Sequence, residues 1–132
     1  MLVKIEKTDW FLSEELQEGT VTFSVNGREY QAFSQDADYP VGAFVDVLFS
    51  HLAAEPDSWE EIFSGNRGKE KKLVRTDNWS YEGYGEIVSI DPIRADFGGI
   101  LLELGEWSHD ERIIGEFIHW RIACLEISPT AA

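Results

Sequence analysis

The sequence predicts an all-β fold with a minor helical component: a small antiparallel β-barrel, as a single domain over residues 1–132. Two observations carry this expectation. Short runs alternate apolar with polar residues at a period of two. Glycines sit where that alternation changes phase, as they do at bends and bulges. Helix is confined to two short stretches.

The elements follow in order. "LVKIEK" reads as a short strand with Val3, Ile5 and Lys7 on one face. "DWFLSEELQEG" reads as one helical turn, capped by Ser13 and carrying Glu14 and Glu15 where the helix dipole favours anions. In "TVTFSVNGREYQAFS", Val21, Phe23 and Val25 alternate with Thr20, Thr22 and Ser24, and Asn26-Gly27 supplies a type I′ turn. The return strand runs through Tyr30 to Phe33. "AFVDVLFSHL" is a strand with Val45, Val47 and Phe49 on one face. "AAEPDSWEEIFSGN" is a short helix started by Asp57 or Ser58 and ended by Gly65. "YGEIVSIDPI" is a strand stopped by Pro92, and "ADFGGILLEL" turns or bulges at Gly98-Gly99. The last strand, "EFIHWRIACLEI", puts Ile118, Trp120, Ile122 and Cys124 inward and switches phase at Leu125.

Two segments echo each other. "YPVGAFVDVLF" and "RIIGEFIHWRI" share a branched apolar residue, Gly, any residue, Phe, then alternation. Gly42 and Gly115 are expected to bend the chain into a strand. Asp-bearing loops precede both: Asp36 and Asp38 in one, Asp110 and Glu111 in the other. About seven strands with a long helix/loop insertion over 53–72 resemble the layout of an OB-type barrel. That likeness implies a fold and carries no function.

Charge is the most informative bulk feature. Eleven Lys and Arg against 25 Asp and Glu leave a formal charge of −14. Such a field repels nucleic acid and anionic membranes and speeds encounter with basic partners. Its distribution is uneven. Arg67, Lys69, Lys71, Lys72 and Arg75 with Glu70 make one window +4, leaving −18 for the remainder. "WSYEGYG" (79–85) follows directly. Trp79 and Tyr81 fall on one side of an extended chain and Tyr84 on the other, while Gly83 and Gly85 are expected to bend it. Rings for stacking beside cations for phosphates are what single-strand nucleic-acid binders use, which makes 67–84 an alternative nucleic-acid contact. The field of the remaining −18 opposes that role, so packing of Trp79 and Tyr81 against the barrel end is the favoured reading.

Catalytic signatures are missing. "SGNRGKEKK" lacks phosphate-loop spacing, and no Gly-x-Ser-x-Gly elbow occurs. Cys124, the single cysteine, excludes an internal disulfide and reads as a buried, inert thiol. His109-Asp110 would approach Asp36 and Asp38 if the two halves were arranged alike, but no single element has metal-ligand spacing. His119, alternating with Ile118 and Trp120, is expected to face solvent. Adjacent carboxylates such as Glu60-Glu61 diverge on a helix or a strand and make no acid/base pair.

The expected function is a small, acidic, non-catalytic binding module on a basic protein: an inhibitor, an immunity-type antidote or a charge mimic. Its expected contacts are Asp36, Asp38, Trp79, Tyr81, Tyr84, Asp110 and Glu111. A single-stranded nucleic-acid-binding barrel is one alternative, and a small ligand-binding or enzymatic barrel is another. No cofactor, metal or membrane is expected, and the absence of a signal-peptide pattern points to the cytoplasm.

Overall fold

The computed structural model describes residues 1–11, 18–35, 38–53 and 59–130. The expected turn at Ser13–Glu15, the helix-starting Asp57 and Ser58, and Asp36 lie outside them. The described chain is dominated by β-strand, in one mostly antiparallel sheet. Its strands are β1 (Leu2–Trp10), β2 (Gly19–Val25), β3 (Arg28–Ser34), β4 (Phe44–Ala53), β5 (Lys72–Asp77), β6 (Ser80–Ser89), β7 (Ile93–Asp96), β8 (Leu101–Gly105) and β9 (Phe117–Pro129). One short helix, α1 (Trp59–Ser64), lies between β4 and β5, and a single 3-10 turn spans Glu111–Ile113. Among the described residues nine strands thus replace the seven expected. "LVRTDNW" forms a strand of its own, and Gly98-Gly99 splits "ADFGGILLEL" into two.

Sheet order is β3-β2-β1-β4-β9-β6-β7-β8, with β5 added alongside β6. This order reads as two similar halves. In each, a three-stranded meander is followed by a loop and a strand that returns to pair with the meander's first member. The two returning strands, β4 and β9, pair antiparallel at the centre. The echo between the glycine segments is the local sign of this repeat. Gly42 (φ +87°) donates to the Ile5 carbonyl at 2.7 Å, and Ala43 accepts from the Ile5 amide at 2.9 Å. Gly115 (φ +93°) donates to the Ile87 carbonyl at 2.8 Å, and Glu116 accepts from the Ile87 amide at 2.9 Å. Register shifts follow both isoleucines, at Ile5/Lys7 and Ile87/Ser89.

The turns match as well. Asn26 (φ +52°) and Gly27 (φ +79°) both occupy the left-handed region, as a type I′ hairpin requires. Gly98 and Gly99 do the same between β7 and β8, where Asp96 Oδ1 accepts from both amides at 2.9 and 3.1 Å. A parallel contact between β3 and β9, Phe33 opposite Glu126, closes β1, β2, β3, β9 and β4 into a ring of strands.

The inward residues of these strands make one core. Val21, Phe23, Val25, Val47, Ile100, Leu102, Ile118, Trp120 and Ile122 are buried as their phase predicts, and Val45 is half-buried against them. Cys124 departs from expectation. Leu52 pairs with Cys124 but Ala53 with Ile122, so the extra residue of the bulge is Ala123 and the phase switches one step early. Cys124 therefore stands half-buried on the outer face beside Leu52. Burial, with the nearby Glu126 charge, pushes its thiol pKa up, consistent with low reactivity.

Candidate functional site

The aromatic-basic segment does not project as a loop. Lys71 reaches Glu86 at 3.1 Å and Asp96 at 3.5 Å, so it bridges β6 and β7. The Glu86 hydrogen bond first, and the two negative charges with it, hold the Lys71 ammonium above its ordinary pKa. Partial burial would raise the Asp96 carboxyl, but the Gly99 and Gly98 amides and Lys71 outweigh it and leave it below the usual carboxylate range. Lys72 pairs with Glu70 at 3.1 Å and lies 5.3 Å over the Tyr84 ring. Arg75 donates from Nε to the Asn78 carbonyl at 2.8 Å. Arg67 and Lys69 lie in the exposed turn before β5. Only part of the +4 window is therefore unspent.

The aromatics are committed too. Trp79, in the β5–β6 turn, donates from its indole to Thr20 Oγ1 at 2.9 Å and packs between Phe11 and Phe33. Tyr81 is buried, and its hydroxyl accepts from the Gln31 amide at 2.8 Å and donates to the Gln31 carbonyl at 2.9 Å. One side chain thus satisfies both backbone groups of a β3 residue, standing in for a neighbouring strand. Tyr84, on the opposite face as expected, packs at 5.0 Å against His119.

Gly83 and Gly85 do not bend the chain. Both lie within β6, and a Cβ on either would come within 2.8 Å of the Phe97 ring. They are small because Phe97 lies across them.

The acidic candidates do not converge. Asp38 precedes β4, whereas Asp110 and Glu111 precede β9. The two strands are antiparallel, so their leading loops sit at opposite ends of the central ladder. The halves are arranged alike, and that arrangement is what separates the loops. Asp110 caps the 3-10 turn, accepting from the Arg112 amide, and forms a two-oxygen pair with the Arg112 guanidinium. Those hydrogen bonds hold its carboxyl below the usual range. His109 pairs with Asp91 rather than with the Asp38 loop. His119 points outward as expected but is covered, with Gly65 packed against it and Glu82 bonded to Nε2. Among the described residues no group of three His, Cys, Asp or Glu converges as metal ligands would.

Sequence reasoning missed three features. Asn66 is buried, donates to the Glu70 and Ile118 carbonyls and accepts from the Glu70 amide, anchoring the turn after α1 to β9. His51 Nε2 accepts from the Trp120 indole at 3.0 Å, and Trp120 stacks on Trp107 at 5.9 Å. Burial pushes the His51 imidazole below its ordinary pKa, with Glu126 opposing. An open polar cleft of about 260 Å³ lies between the end of β5 and the outer face of β1–β3, lined by Lys7, Asp9, Thr20, Thr22, Gln31, Arg75 and Asn78. Its lining gathers one or two residues from each of several elements, which no linear motif records. Comparison with known protein families, with curated proteins and with solved structures finds no match.

Proposed function

We propose that this chain is an acidic, non-catalytic binding module that docks on a basic protein in the cytoplasm, as an inhibitor, an antidote or a charge mimic. The observation that supports this reading most is how the charges are spent. Lys71 and Lys72 are engaged by Glu86, Asp96 and Glu70. Carboxylates such as Asp9, Glu29, Asp38, Asp77, Glu103 and Glu106 stand on the surface with no cation within 4.0 Å among the described residues. A field of net −14 then falls on a partner largely uncancelled.

We also read the ring of β1, β2, β3, β9 and β4 as an OB-like barrel, with β5–β8 as an elaboration between its last two strands. Five strands closing in that order support it. Its binding faces carry no function by analogy.

Affinity capture with the intact chain tests the functional reading. A protein partner of high isoelectric point is expected, with an association rate that falls several-fold between low and physiological salt. A partner that is acidic, or whose association is indifferent to salt, would overturn it.

A further inference from the structure

The outer face of β4 carries a row of exposed apolar side chains. Phe44, Leu48 and Leu52 are 66%, 56% and 59% exposed and recur every fourth residue along one face of the strand. Leu2, 63% exposed, stands on β1 opposite Asp46, between Phe44 and Leu48. Four large side chains exposed to that degree present on the order of 400 Å² of apolar surface, within the range of the largest patches on monomers, which often mark contact sites. β4 is central in the sheet, so the exposure belongs to a face rather than to a frayed edge.

We infer that this face is a self-association surface, covered by a second copy of the chain. Its charges argue for that occupant over a basic protein. Asp46, in the middle of the row, is taken by the Met1 ammonium at 2.6 Å, and Lys4 beside Phe44 pairs with Glu6 at 3.7 Å, while Glu126 accepts only from the neutral Ser50 hydroxyl at 3.2 Å. Two of the three carboxylates beside the row are thus paired with a cation, and a cationic partner is left with Glu126 at one flank. The row is also self-complementary. A two-fold axis between the faces, through Leu48 and across β4, sets Phe44 of one copy against Leu52 of the other and Asp46 against Ser50, so that Asp46 does not face its own counterpart. The remaining negative charge on each copy opposes pairing beyond the patch and is screened within roughly 8 Å at physiological salt. Dimer formation therefore strengthens with salt, opposite to the docking of a basic protein.

Sedimentation equilibrium from about 1 to 100 μM, at low salt and in about 0.5 M NaCl, tests the inference. The expected result is a monomer–dimer equilibrium whose dissociation constant falls as salt rises. Leu48→Lys weakens it at least ten-fold while leaving the melting temperature unchanged, because Leu48 is outside the core. Leu52→Glu does the same, and Leu101→Lys, on the outer face of β8, leaves it intact. A wild-type chain that stays monomeric throughout would overturn the inference and leave the face to a different protein. A dimer untouched by both β4 variants would overturn it equally.

Discussion

Trp120 and His51 show how a side chain chosen for packing acquires a titration. The indole needs an acceptor once buried, and the His51 ring across β4 and β9 provides one only while Nε2 is unprotonated. Its pKa lies below the ordinary value because burial disfavours the charged form. The folded state therefore binds fewer protons here than the unfolded one. Stability from this group is present above the unfolded pKa, about 6.5, and is lost as pH falls through it toward the folded value. Urea melts near pH 7.5 and pH 5.5 check this. Wild type should lose stability at the lower pH, and His51→Gln, whose amide oxygen still accepts from Trp120, should lose less. Equal losses would mean that His51 is not the titrating group. The inward phase of Trp120 was legible in alternation alone. Its partner was not, because a contact between residues 51 and 120 depends on the β4–β9 register, which a bulge at Ala123 sets.

Elements divide by whether their cause is local. The Asn26-Gly27 hairpin is fixed by two residues that tolerate positive φ, so those two letters of sequence reveal it. Gly42 and Gly115 were legible for the same reason, and the repeat they announce extends to bulges and hairpins that the letters do not show. Gly83 and Gly85 have a distant cause, the Phe97 ring that crosses β6, and a local reading mistakes them for bends. A small residue in a strand has the same signature whether it bends or makes room. Gly83→Ala separates the two. A Cβ there meets Phe97 Cε1 at 2.8 Å and the Trp120 carbonyl at 3.0 Å, so the ring has to shift. Overpacking of this kind costs about 1–3 kcal/mol, measurable by denaturant unfolding. A neutral or stabilising substitution would show that β6 has room to spare.

At the scale of the whole molecule, the aromatic-basic segment and the acidic body are the two features on which the proposed function rests. Composition displayed both, but not their geometry. Lys71 is neutralised by Glu86 and Asp96, 15 and 25 residues away, because β5 and β7 both pair with β6, β5 as far as Tyr84 and β7 from Glu86. Trp79 and Tyr81, which a stacking platform would need free, hold the β5–β6 hairpin to β2 and β3. The candidate loops with Asp38 and with Asp110 and Glu111 lie at opposite ends of the β4–β9 ladder, so they do not form one contact site. Any acidic recognition is then a property of the field more than of a single cluster.

The most direct test of an acidic module against a nucleic-acid binder is a gel-shift series with short single-stranded DNA and RNA, at low and at physiological salt. The acidic module predicts at most weak retardation at low salt, disappearing at physiological salt as the remaining contacts with Arg67 and Lys69 are screened. Binding that is micromolar or tighter at physiological salt, and that is abolished by Trp79→Ala or by neutralising Lys71 and Lys72, would contradict it.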